Sequence, residues 1–156
     1  MSTDTVFQKN LELGIKGEEI VYDYLKRNNS FVEDLRSQKH GEHAGPRLIG
    51  TEGAVVLPDF AVYNKNEKKG NYAVDVKVKS SLYPYKGVKC FTVDEKIEDY
   101  KRAVQIKKLD MLKLIFIHNN RLYLYEADMV FGREIVNNQY GKIIYYFKYE
   151  ESNIIY

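Results

Sequence analysis

Two short stretches concentrate the chemistry of this chain: Leu57-Pro58-Asp59-Phe60 and Ala73-Val74-Asp75-Val76-Lys77-Val78-Lys79. Each places ionisable side chains inside an alternating apolar run. Residues two apart on a strand share a face. Tyr72, Val74, Val76 and Val78 are therefore expected to point into a core, and Ala73, Asp75, Lys77 and Lys79 to point together the other way. An acid beside an ammonium, next to a second strand carrying Pro58-Asp59, supplies the residue types of a metal-dependent phosphodiester-cleaving site. Such hydrolysis builds negative charge on nonbridging oxygens and an alkoxide on the leaving group. Mg²⁺ or Mn²⁺, hard and oxygen-preferring, neutralises both, and Asp59 and Asp75 can act as anionic ligands.

Periodicity indicates the elements that must position these groups. Leu13, Gly17, Ile20, Val21, Tyr24 and Asn28 fall at helical spacing and predict a helix over 6–28, with Glu18 at the edge of its core face and Glu19 toward solvent. A short strand is expected over 31–35, and a long glycine-punctuated loop over 36–53. Strands over 55–63 and 72–79, joined by a polar turn, form a hairpin. Any register whose paired numbers sum to 134 or 136 sets Asp59 opposite, or one diagonal step from, Asp75 on one face. An irregular segment over 80–91 precedes a second helix over 94–109, a hairpin of 112–118 with 122–127 turning at Asn119-Asn120, and a last strand over 142–149. This order implies an α/β fold: a mixed sheet flanked by helices, in one domain spanning 1–156.

Composition narrows the class. At 156 residues the chain can bury a core without staples, and 44% hydrophobic with 29% charged residues is ordinary for a globular protein. A formal net charge of +2 is weak support for a nucleic-acid partner. Single Cys90 forms no internal disulfide, suits a reducing cytoplasm and excludes an iron–sulfur cluster, which needs several thiolates. No signal-peptide pattern opens the chain, and apolar runs such as 114–117 are too short to span a bilayer, so no membrane partner is expected.

Gly17-Glu18 on a helix, Pro58-Asp59 on a strand and Asp75-Val76-Lys77 on the next strand, followed by the 94–109 helix, resemble the PD-(D/E)xK nuclease superfamily over roughly the first two thirds of the chain. The helix pair and small size look most like Holliday-junction-resolvase-like nucleases. The resemblance implies a restriction-endonuclease-like fold and a Mg²⁺- or Mn²⁺-dependent DNA endonuclease that leaves a 5′-phosphate. It assigns metal binding to Asp59, Asp75 and the Val76 carbonyl. Lys77 would position or deprotonate the attacking water, and Glu18 would complete the site directly or through water. Cutting two strands with a one-site domain implies a homodimer or higher oligomer. Structure-specific and homing-type cleavage are both open. Gln105 is similar to the glutamine of the RecB branch, whose following tyrosine is missing here.

Arg36, Lys39 and Arg47 in the long loop are candidate phosphate contacts. Lys79, Tyr83, Tyr85, Lys86 and Lys89 combine charge and aromatic planes, the composition that grips a nucleic-acid backbone and stacks on unpaired bases. His40 and His43 flank Glu42, but a spaced histidine pair in a glycine-rich loop is a weak metal signal. Tyr140, Tyr145, Tyr146, Tyr149 and Tyr156 either cover a dimer surface or fill the back of the sheet. Against the nuclease stand a non-catalytic nucleic-acid-binding or protein-interaction domain on the same scaffold and a RecB-like exonuclease. For Asp75 and Lys77 the plain alternative is an exposed surface pair, worth under about 1 kcal/mol.

Overall fold

The fold follows from one helix that buries a narrow stripe and from strands that bury both faces. The computed structural model describes residues 3–36, 47–66, 68–137 and 141–156. Helix α1 (Thr3–Asn28) presents Gly17, Val21 and Leu25 inward, while Leu13 and Ile20, expected on the core face, are about half exposed. Its C-terminus is capped by side chains: Asn28 and Asn29 donate to the Tyr24 and Leu25 carbonyls, and Lys69 Nζ donates to the Asn28 carbonyl at 2.8 Å. Amide and ammonium donors suit the negative end of a helix.

Strands β1 (Phe31–Asp34), β2 (Arg47–Gly50), β3 (Gly53–Val56), β4 (Phe60–Tyr63) and β5 (Tyr72–Val78) follow. The expected strand over 55–63 is two strands. Pro58 has no N–H for a ladder, and the chain breaks between Val56 and Phe60. β3 turns back on β2 instead, so the expected loop over 36–53 holds a strand, with Arg47 opposite Val56. Lys39, His40, Glu42, His43 and Tyr140 lie outside the described residues.

The segment over 80–91, expected to be irregular, contains β6 (Tyr83–Tyr85) and runs into β7 (Val88–Asp94) through a Lys86-Gly87 turn with both φ positive, at 50° and 78°. Helix α2 (Lys96–Ile106) is shorter than expected at both ends; β8 (Met111–His118) and β9 (Arg121–Glu126) form the expected hairpin. Asn119 and Asn120 turn it with φ of 50° and 62°. β10 (Gly132–Asn137), not anticipated, pairs with β11 (Lys142–Lys148).

The central sheet has the order β1-β4-β5-β8-β9 and is mixed: β5 and β8 run parallel, while the other pairs are antiparallel. α1 covers one face through Val21, Leu25, Phe60, Val62, Val74 and Val76. The other face is covered by α2 through Ile97, Tyr100, Ala103 and Val104, and by an antiparallel sheet of order β10-β11-β7-β6. This second sheet was not expected. Phe91 and Phe116 stack between the sheets at 4.5 Å, with Tyr123, Tyr125 and Phe147 beside them. Tyr145 and Tyr149 belong to this aromatic core, whereas Tyr156 is exposed. Cys90 is buried, as a small hydrophobe would be.

Candidate functional site

The break before β4 builds the site. Phe60 pairs with Val74, Ala61 with Ala73 and Val62 with Tyr72, each pair summing to 134 as one of the two expected registers requires. The ladder stops there, so Asp59 has left the strand when it reaches the level of Asp75. Its main-chain carbonyl accepts from Leu35 N–H at 3.0 Å, and its Oδ2 accepts from Val76 N–H at 2.8 Å. The Val76 donor is available because β4 does not continue beside it.

Asp75 and Lys77 share the face toward α2, as alternation predicts. Asp75 is 2% exposed. Lys77 Nζ lies 3.0 Å from the buried Asp75 Oδ2, a charge-assisted pair, and no other donor reaches that oxygen among the described residues. A buried carboxylate is tolerated only when it is paired, so Asp75 and Lys77 depend on each other. Burial pushes the Asp59 carboxyl well above the usual range, and the charges of Asp75 and Glu18 push it further, outweighing Val76 N–H and Lys77. For Lys77, burial opposes the charge, but Asp75, Tyr100 and Asp59 more than offset it and hold the ammonium above its ordinary range.

Glu18 owes its place to Gly17. A Cβ at position 17 would meet Val78 Cγ2 at 2.7 Å and Ile117 Cδ1 at 2.9 Å, so only glycine lets α1 lie this close to β5 and β8. Val78 was expected in the core but is 39% exposed, because β5 outruns β4 and only the Gly17 turn covers it. Glu18 is 3.7 Å from Arg36 Nη1.

Arg36, a candidate phosphate contact, is already engaged. Its Nε and Nη2 donate to Asp34 at 2.9 and 2.8 Å, Nη2 lies 2.8 Å from Glu19, and the guanidinium sits 4.9 Å from the Phe60 ring centroid. Arg47 starts the β2–β3 hairpin with its Nε buried and without a hydrogen-bond partner among the described residues. Lys79, Tyr83, Tyr85 and Lys86 gather on one side of the second sheet, whereas Lys89 alternates to the opposite face of β7.

Sequence reasoning placed Tyr100 on a helix face but gave it no role. The structure buries it with Lys77 Nζ 5.6 Å from its ring centroid, and burial together with the Asp75 charge raises its hydroxyl pKa. A polar-tipped aromatic on an otherwise apolar helix face was the available signal.

Among the described residues, no three His, Cys, Asp or Glu side chains converge to hold a metal on their own. The donor set is smaller and all-oxygen: two carboxylates, one of them buried and paired with Lys77, beside a main-chain strand. That set fits a hard divalent cation whose remaining ligands come from main chain, water and substrate. Comparison with known protein families, characterised proteins and solved structures finds no match. No helix among the described residues is long and apolar enough to cross a membrane.

Proposed function

We propose that this chain is a metal-dependent DNA endonuclease of restriction-endonuclease-like architecture. The reading rests on one observation above all: the buried Asp75 carboxylate pairs with Lys77 where strand pairing stops to present Asp59. Asp59, Asp75 and the Val76 carbonyl would hold Mg²⁺ or Mn²⁺. When bound there, the ion supplies charge neutralisation to the phosphoryl oxygens and leaving alkoxide. Val76 N–H fixes the orientation of Asp59, and the wall of α2 excludes water from behind Asp75. Lys77 Nζ, anchored on Asp75, orients the attacking water. Glu18 closes the open side from α1. A homodimer would bring two such sites to the two strands of DNA.

A non-catalytic nucleic-acid-binding domain is the competing reading. It is favoured by the Asp75–Lys77 pair, which partly neutralises the cluster without a metal, and by the absence of a three-group metal cluster among the described residues. Calorimetric titration with Mn²⁺ separates the two. The nuclease reading expects saturable binding by the wild type and its loss in Asp75→Asn. Equal heats for both proteins, or none for either, would favour the binding domain.

A further inference from the structure

The outer face of the second sheet carries a slot that the proposed hydrolysis leaves unused. Tyr83, Thr92, Val136, Ile144 and Tyr146 line a cavity of about 250 Å³. Register explains its shape. β6 ends where Tyr83 faces Cys90, so the flank of β7 at Thr92 has no strand beside it on that side. Tyr146 forms the floor: it is buried and stacks on Tyr85 at 4.0 Å with planes 7° apart. Tyr85 thus uses its ring on the protein, while Tyr83, 60% exposed at the rim, makes a tilted contact with Tyr146 at 6.3 Å.

The slot also has a cation. Lys79 Nζ lies 3.5 Å from Thr92 Oγ1. Its main chain is fixed on both sides, its N–H donating to the Ile117 carbonyl at 2.8 Å and its carbonyl 2.8 Å from His118 Nδ1. Burial and the charge of Lys77 lower the Lys79 pKa against the pull of Asp94. Lys79, one residue past the end of β5, continues the alternation of Asp75 and Lys77, its N–H still bonded to Ile117 of β8, with about 7 Å between successive positions along a strand. The line of Asp75, Lys77 and Lys79 therefore leads from the candidate site to the slot.

We propose that the slot takes an unpaired base of the DNA substrate, stacked on Tyr83, with Lys79 on the phosphate between that base and the scissile bond. Stacking on a side-chain ring needs an exposed base face, so the base must leave the helix or belong to a single strand. The position of the scissile bond rests on the nuclease reading; the slot itself does not.

The test is fluorescence anisotropy in EDTA, where nothing is cut, with a labelled single strand, a duplex carrying one extrahelical base and a blunt duplex. The wild type should bind the first two more tightly than the third. Tyr83→Ala should lose that preference by on the order of ten-fold, and Tyr83→Phe should keep it. Equal binding by wild type and Tyr83→Ala, no preference over blunt duplex, or tighter binding of the matching RNA strand overturns the inference. The two readings fail separately. Metal-dependent cleavage with no tyrosine-dependent preference refutes the slot and leaves the nuclease. Tyrosine-dependent single-strand binding without cleavage refutes the nuclease and leaves the slot.

Discussion

Replacing Gly17 by alanine, with Gly14→Ala as control, tests how the candidate site is assembled. Both glycines lie on α1, and both substitutions gain about 0.8–1 kcal/mol of helix propensity. Only their surroundings differ. A Cβ at Gly14 meets nothing within 4 Å, whereas one at Gly17 meets Val78 Cγ2 at 2.7 Å and Ile117 Cδ1 at 2.9 Å. Ordinary carbon contacts are about 3.5–4.0 Å, so α1 or its neighbours must yield by about 1 Å. Ile117 can turn its terminal methyl away; Val78, stiff at χ1, cannot do so easily. Such overpacking costs about 1–3 kcal/mol. Gly14→Ala should therefore melt above wild type, and Gly17→Ala below Gly14→Ala by roughly 2–12 °C at about 2–4 °C per kcal/mol. The same displacement moves Glu18, and a misplacement near 1 Å can cost about 10²-fold in rate. Thermal melts by circular dichroism measure the first effect and cleavage rates the second. Gly17→Ala melting at or above Gly14→Ala would refute the close-approach argument.

Two further substitutions probe the charges. The raised Asp59 pKa means that the stability of its protonated form is present below the unfolded value and lost as pH rises through the folded one. Asp59→Asn never ionises and can still accept from Val76 N–H, so without metal it should exceed wild type by about 1–2 kcal/mol at pH 8 and by less at pH 5; melts in EDTA at both pH values check this, and a variant less stable at both would contradict it. Mn²⁺ should then raise the wild-type melting temperature and leave the variant unmoved. Arg36→Ala should cost about 2 kcal/mol, because carboxylates of Asp34, Glu18 and Glu19 lose their shared cation. The hydrogen bond from Arg36 lowers the Asp34 pKa, so that stabilisation is present above the ordinary carboxylate value and lost as pH falls through the depressed one. In denaturant titrations the gap between wild type and Arg36→Ala should hold from pH 8 to 5 and narrow below 4; a gap independent of pH would count against the pairing.

What was legible in the sequence had a clean period. The alternation from Tyr72 to Lys77 put Asp75 and Lys77 on one face, and the turn and apolar pattern left two hairpin registers, of which the one summing to 134 is formed. Asn119-Asn120 marked its turn because both residues tolerate positive φ. The second sheet was not legible, for physical reasons. In β7, Phe91 and Val93 face the core while Cys90 lies on the other side and is buried too, and exposed Lys89 shares the core-facing side, so the alternation is blurred. β10 is an edge strand carrying Arg133, Glu134 and Asn137, which reads as loop. The break at Pro58 was visible as a residue, but its consequence, freeing Val76 N–H to hold Asp59, depends on the parallel partner β8 lying on the far side. Tyr100 was missed because Lys77 comes from a distant segment, and Arg36 was misjudged although Asp34, two residues before it, was a visible partner; only its Glu18 and Glu19 contacts come from far away.

The central claim is catalytic, and one assay meets it directly: nicking of supercoiled plasmid and of a four-way junction with Mg²⁺ or Mn²⁺, beside EDTA, by wild type, Asp75→Asn and Lys77→Ala. The account predicts metal-dependent cleavage leaving 5′-phosphates, abolished in both variants while Lys77→Ala still binds DNA. Cleavage retained in both variants, or no metal-dependent cleavage of either substrate by wild type, would contradict it.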